Sequence, residues 1–187
     1  MEILIVVALI GILSTMAAPM FNGAIQGFRL SGDARSISNA TAVAKMRAAA
    51  EFSRVRLYVD LPGRTFRVQT FNKTSDICCW INQGGVTALS SGVSFTYGIV
   101  GTPPPATQGL IGQAPVCKDD MDMNIPNTAC IMFNSRGVPI DSTAAPTPLD
   151  ALYVSDGTAV FGVTVAATGM VRVWRTLPAA TPSWTLN

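Results

Sequence analysis

Few side chains in this sequence could do chemistry. Histidine is absent from all 187 residues, which removes the commonest general base and metal ligand and rules out Ser-His-Asp catalysis. No phosphate-cradling glycine motif is present either. The remaining candidates are four cysteines, one acidic run and a single carboxylate in an apolar segment. Cys78 and Cys79 are adjacent, so in an extended segment their side chains leave on opposite sides. Cys117 and Cys130 bond either to that pair or to one another, and a closed loop of about 15 residues would contribute roughly 3 kcal/mol. Zinc is disfavoured, because adjacent ligands lack the usual spacing. In the run Lys118 to Asn124, Asp120, Asp122 and Asn124 imitate the start of a calcium loop. Ile125 and Ile131 occupy the places of that loop's glycine and bidentate glutamate, so a solvated acidic turn is expected, with no metal or other cofactor.

The isolated carboxylate is Glu2. No other charged side chain follows until Arg29, and Ile, Leu, Val, Ala and Met fill most of the gap. As a helix rising about 1.5 Å per residue, the gap is roughly 39 Å long, enough to cross a bilayer core of about 30 Å. A cleavable signal peptide would need a basic head and a small-x-small site. Here the head is acidic, and Pro19 follows Ala17-Ala18 where cleavage would fall. A carboxylate in such a helix costs on the order of 3 kcal/mol at the membrane centre, less near an end, and residues of this kind tend to be functional and partnered.

The elements around these residues follow from period. Leu30, Ala34, Ile37, Thr41, Ala44 and Ala48 recur every three or four positions, while Arg29, Asp33, Arg35, Lys45 and Arg47 fall mostly elsewhere; this is an amphipathic helix to about Arg54 with a narrow, alanine-rich face. Phe52 and Val55 are expected to close that face. Gly23, Gly27 and Gly32 weaken the junction by up to about 1 kcal/mol each, so a bend or melted turn is expected between Gly11 and Gly32. Beyond it the period becomes two. Val55–Val59 and Thr65–Gln69, joined through Pro62-Gly63, form a β-hairpin. Further strand signals lie at 79–81, 93–97, 130–133, 151–154, 160–165 and 170–175, and Pro103-Pro104-Pro105 forms a stiff loop. The predicted fold is α+β: a long N-terminal α-helix with a protruding hydrophobic half and an amphipathic half packed on an antiparallel sheet, with a second small sheet. The segments are 1–28, a membrane anchor or filament core; 29–54, the amphipathic half; and 55–187, a β-rich globular domain.

Residues Glu2 to Leu13, followed by Ala17-Ala18-Pro19, closely resemble the N-terminal helix of type IV pilins and pseudopilins. The resemblance places the family's assembly glutamate on Glu2, its mid-helix glycine on Gly11 and its helix-loosening proline on Pro19. It implies a non-enzymatic structural subunit of an extracellular type IV pilus-like helical filament, held in the bacterial inner membrane before assembly. The implied partners are copies of the chain itself, an inner-membrane assembly platform, a prepilin peptidase and minor pilins.

The carboxy-terminal order of Phe133-Asn134-Ser135-Arg136-Gly137, an Ala-Leu-Tyr-Val strand and a final Gly-x-x-Arg strand is similar to that of H-type pseudopilins of type II secretion and FimT-like minor pilins. A minor pseudopilin or a DNA-uptake subunit is therefore the alternative. The Gly-Arg-x-Arg motif associated with DNA contact in the FimT type falls on Gly169 to Arg172, with Met170 replacing the first arginine. Arg175 could compensate and Trp174 could stack on a base. A net charge of +2 gives nucleic-acid binding little support. Four cysteines behind a membrane-translocated head point to an oxidising compartment.

Overall fold

The computed structural model describes the backbone of residues 2–73, 79–147 and 149–187 and, within these, the side chains of Val6 and of every residue from Ile25 onward except Leu149. One helix, α1 (Glu2–Ala50), is followed by β1 (Val55–Asp60), β2 (Thr65–Phe71), β3 (Trp80–Ala88), β4 (Thr128–Phe133), β5 (Pro139–Ile140), β6 (Leu149–Ser155), β7 (Val160–Ala166), β8 (Val171–Thr176) and β9 (Thr185–Leu186). The strands form two antiparallel sheets, a larger one in the order β3-β2-β1-β4-β5 and a smaller one in the order β6-β7-β8-β9. The fold is α+β, a helix packed on antiparallel sheets.

The amphipathic stripe becomes the spine of the core. Leu30, Ala34, Ile37, Thr41, Ala44 and Ala48 are all buried. They meet the inward positions of the larger sheet, Val55, Leu57, Val59, Phe66, Ile131 and Phe133, and those of the smaller sheet, Leu152, Val154, Phe161 and Val163. Small residues on the helix let its backbone approach both sheets. Thr41 returns its hydroxyl to Ile37 O at 2.8 Å, so a polar atom sits in the stripe without an unmet hydrogen bond.

Polar residues outside the stripe tie the helix down. Asp33, expected on the solvent side, is buried and accepts hydrogen bonds from Ser90 N and Ser90 Oγ at 2.9 and 3.0 Å. Lys45 Nζ donates to Gly169 O at 3.0 Å. Around that lysine the turn after β4 meets the turn after β7. A Cβ at Gly169 would stand 2.5 Å from Gly137 O, and both glycines have positive φ, so the contact requires residues without a side chain.

Several expectations need correcting. The helix is continuous through Gly11, Pro19, Gly23, Gly27 and Gly32, so the melted turn is absent. It stops at Ala50 rather than near Arg54, because Phe52 adopts φ 48° and Ser53 N bonds back to Ala48 O at 3.3 Å, a Schellman-type end. Phe52 consequently points out, 73% exposed, and does not close the core; Val55 does. Val93–Tyr97 forms no strand beyond the Ser94–Ser155 bridge; it belongs to a long connection that covers the outer face of the smaller sheet. There Tyr97, Val100, Ile111 and Trp184 pack around Ala151, Tyr153 and Val160. Gly162 makes room for Tyr153, whose ring would lie 2.8 Å from any Cβ at that position. Gln113 lies along edge strand β6, donating from Nε2 to Tyr153 O and accepting Tyr153 N at Oε1, both at 2.9 Å.

Among the described residues no helix is long and apolar enough to cross a membrane. The side chains of residues 3–24, on which the anchor expectation rests, lie outside the described residues except for Val6.

Candidate functional site

Two surfaces concentrate the chemistry: the emerging helix and the outer face of the larger sheet. On the helix, no described side chain before Leu30 is buried. Val6, Ile25 and Phe28 are 54%, 46% and 77% exposed, so the apolar half of α1 has no described partner within its own chain. Glu2, Gly11 and Pro19 lie on this helix, with side chains outside the described residues.

On the larger sheet, strand alternation sends Val55, Leu57 and Val59 inward and Arg56 and Tyr58 outward. The same rule puts Arg67, Gln69 and Phe71 of β2 on that face, beside Trp80 of β3. These outward residues stack. The Arg54 guanidinium lies 4.1 Å from the Phe71 ring centre, Arg56 4.0 Å from that of Trp80, and Arg67 4.4 Å from that of Tyr58. Phe71 and Trp80 meet edge to face at 5.4 Å. Arg56 is only 3% exposed; its Nε donates to Gln69 Oε1 at 2.8 Å and its Nη1 to Lys118 O at 2.6 Å. Gln69 in turn donates to Asn82 Oδ1. Burial pushes the Arg56 pKa down to about 10, with nearby Tyr58 and Asp120 opposing the fall, so the group stays charged at neutral pH. Neutral acceptors and aromatic faces therefore hold a buried cation in place.

The acidic loop forms the facing wall of a cleft of about 230 Å³. Cys117 and Cys130 are bonded to one another, with Cα atoms 5.0 Å apart, which selects one of the three pairings that four cysteines allow. Cys79 lines the cleft, and Cys78 lies outside the described residues. Asp119, not among the calcium candidates, accepts the Met121 and Met123 amides at 2.9 and 2.8 Å. Asp122 pairs with Lys118 at 2.9 Å. Asp120 lines the same cleft as Arg56, and Asn124 bridges to Lys118 through the backbone. Among the described residues no group of three His, Cys, Asp or Glu is placed to hold a metal ion.

On β8 the three candidate DNA-contact residues separate. Arg172 and Trp174 share the outer face of the smaller sheet, where Trp174 Nε1 donates to Thr164 Oγ1 at 3.0 Å and Arg172 Nε reaches Met170 Sδ at 3.4 Å. Arg175 leaves on the other face, its guanidinium 6.0 Å from the Phe161 ring centre. An odd spacing on a strand divides the pair.

The sequence analysis singled out none of Arg56, Tyr58 and Arg67; strand alternation is the signal that puts them on one face, and it carries no sign that Arg56 is buried. That depends on the disulfide-closed loop folding over the sheet.

No family model matches this chain, and no curated protein matches it. Among solved structures the chain is similar to the minor pseudopilin EpsH from the type II secretion system of Vibrio cholerae. One structure of that protein gives TM-score 0.47 at 14% identity, covering 78% of this chain and 95% of EpsH. Another gives 0.47 at 13%, covering 85% and 97%.

Proposed function

We propose that this chain is a pilin-like structural subunit that assembles through α1 into an extracellular helical filament of the type IV pilus kind. One observation carries the reading. In a single helix, Glu2–Ala50, the second half is buried by its own domain, while the first half bears no charge after Glu2 and no buried described residue before Leu30. That half holds roughly a dozen large apolar side chains, each favoured by about 1.5–3 kcal/mol on leaving water. The total exceeds the 5–15 kcal/mol by which a typical domain is stable, so the segment requires a non-aqueous surrounding. Lipid supplies it before assembly, and neighbouring copies supply it afterwards.

In this reading Glu2 is the assembly residue, Gly11 and Pro19 permit local adjustment of the helix, and the β-rich domain forms the filament surface. The partners are copies of the chain, with a processing peptidase, an inner-membrane platform and minor pilins taken from the N-terminal resemblance. The test is Glu2→Ala in the full-length chain. The soluble domain is expected to fold normally, judged by its disulfide and thermal transition, while recovery in sheared filaments falls at least tenfold. Incorporation at the wild-type level would contradict the role of Glu2.

A further inference from the structure

Each sheet has two rims, and among the described residues three of the four are short or already met. β5 and β9 are two residues long, and β6 is met by Gln113 and Ser94. The fourth rim is that of β3, at the edge of the larger sheet opposite β5. This strand is nine residues long and contains no charged residue and no proline. Asn72 N donates to Cys79 O at 2.6 Å, so Cys79 turns its backbone towards β2. By alternation Trp80 and Asn82 turn their N–H and C=O groups outward, where nothing among the described residues pairs with them. Gly84 takes φ 89° where the register with β2 shifts, and this bulge limits the straight part of the rim to residues 80–83. A groove of about 340 Å³ lies on the helix-facing side of that part, lined by Ile81, Gln83, Thr70, Glu51 and Lys73. Ile81 gives it apolar surface at 48% exposure, whereas Thr70 is 7% exposed and its buried Oγ1 has no hydrogen-bond partner. Arg47 donates to Gln83 Oε1 at 2.8 Å and pairs with Glu51 at 3.7 Å. Lys73 Nζ donates to the Phe52 carbonyl, and among the described residues no carboxylate pairs with it.

We propose that the β3 rim takes up an extended, acidic segment of another protein, paired as an added strand along residues 80–83 with a carboxylate beside Lys73. The backbone specifies the form of the partner, because outward N–H and C=O groups at strand spacing are complemented by another extended chain. The charge specifies its sign. Residues of an added strand opposite Ile81 and Gln83 share their face of the sheet, over the groove, where Lys73 Nζ and Thr70 Oγ1 are donors for a carboxylate. A second copy of this chain is a poorer match. Its other rims are short or met, and β3 against β3 sets two Lys73 side chains on one face with no carboxylate between them. The proposal holds whether or not the chain polymerises.

Fluorescence anisotropy on the full-length, detergent-solubilised chain tests this with three labelled peptides: alternating Thr and Glu, alternating Thr and Lys, and the Glu peptide with an N-methylated backbone. The Glu peptide is expected to bind at least tenfold more tightly than either of the others, and to slow hydrogen exchange at the Asn82 amide. Asn82→Pro removes that amide and is expected to abolish binding. Asn82→Ala keeps the amide while losing the side-chain bond from Gln69, and is expected to bind as the wild type does. Lys73→Glu is expected to reverse the preference between the two charged peptides. Absence of binding by either charged peptide overturns strand addition, as does equal binding of the N-methylated one. A preference for the Lys peptide, or one that Lys73→Glu leaves unchanged, overturns the acidic partner. Self-association of the wild-type chain that Asn82→Pro abolishes assigns the rim to a second copy, and overturns the proposal as well.

Discussion

Asp150→Asn probes an unfavourable charge in the first strand of the smaller sheet. Asp150 is 5% exposed, accepts a hydrogen bond from Thr147 Oγ1 at 3.1 Å, and takes part in neither ion pair found among the described residues. Burial raises its pKa from 3.8 to about 6; the Thr147 bond opposes the rise and nearby Asp141 adds to it. The folded value lies above the unfolded one. The carboxyl's contribution to stability is therefore complete below the unfolded pKa of 3.8 and is lost as the pH climbs through about 6. A rise of roughly two units corresponds to about 3 kcal/mol. Asn keeps an acceptor oxygen for Thr147 and has no charge to desolvate. Urea unfolding of both proteins, followed by circular dichroism from about pH 4 to about pH 7.5, is expected to show the variant gaining on the wild type by about 2 kcal/mol across that window. A difference that stays flat, or shrinks as the pH rises, refutes the reasoning, because Asp150 would then be an ionised and well-partnered carboxylate.

Two other perturbations have signs fixed by the structure. Replacing Cys117 and Cys130 together by Ser opens a loop with a sequence separation of 13 and is expected to lower unfolding stability by about 3 kcal/mol, read by denaturant titration. It should also loosen Arg56, whose acceptor Lys118 O lies in that loop. Phe52→Gly relieves a left-handed residue with φ 48° whose ring is mostly exposed, and is expected to raise the thermal midpoint, with a gain of about 1 kcal/mol; a fall would mean that the ring packs in a way its exposure does not show.

Legibility from sequence followed locality. The buried helix face was readable residue by residue from Leu30 to Ala48, because a 3.6-residue period is a local property. The hairpin of β1 and β2 was readable for the same reason: Asp60 accepts the Gly63 amide at 3.0 Å and closes a turn announced by Pro62-Gly63. The strands β4, β6, β7 and β8 lie where β-branched and aromatic runs placed them. What sequence could not show depends on distant partners. The length of β3 to Ala88 is set by pairing with Thr65 and Phe66, across a register shift no local pattern marks. Asp33 is polar and looked solvent-facing; it is buried because Ser90, far along the chain, supplies two donors. The end of α1 was misplaced because an aromatic residue took a backbone conformation that usually signals glycine. The cysteine pairing needed three-dimensional proximity, which spacing alone leaves open.

The side chain of Gln113 has a consequence for how copies of this molecule can join. By presenting both an amide donor and a carbonyl acceptor to Tyr153, it imitates one residue of an adjoining strand, and Ser94 does the same for Ser155 with its backbone. The outer rim of β6 is thereby already satisfied at these positions. Open rims of this kind invite another chain to add on by backbone pairing. With this one occupied from within, the smaller sheet is shielded from cross-β growth along β6 at these positions.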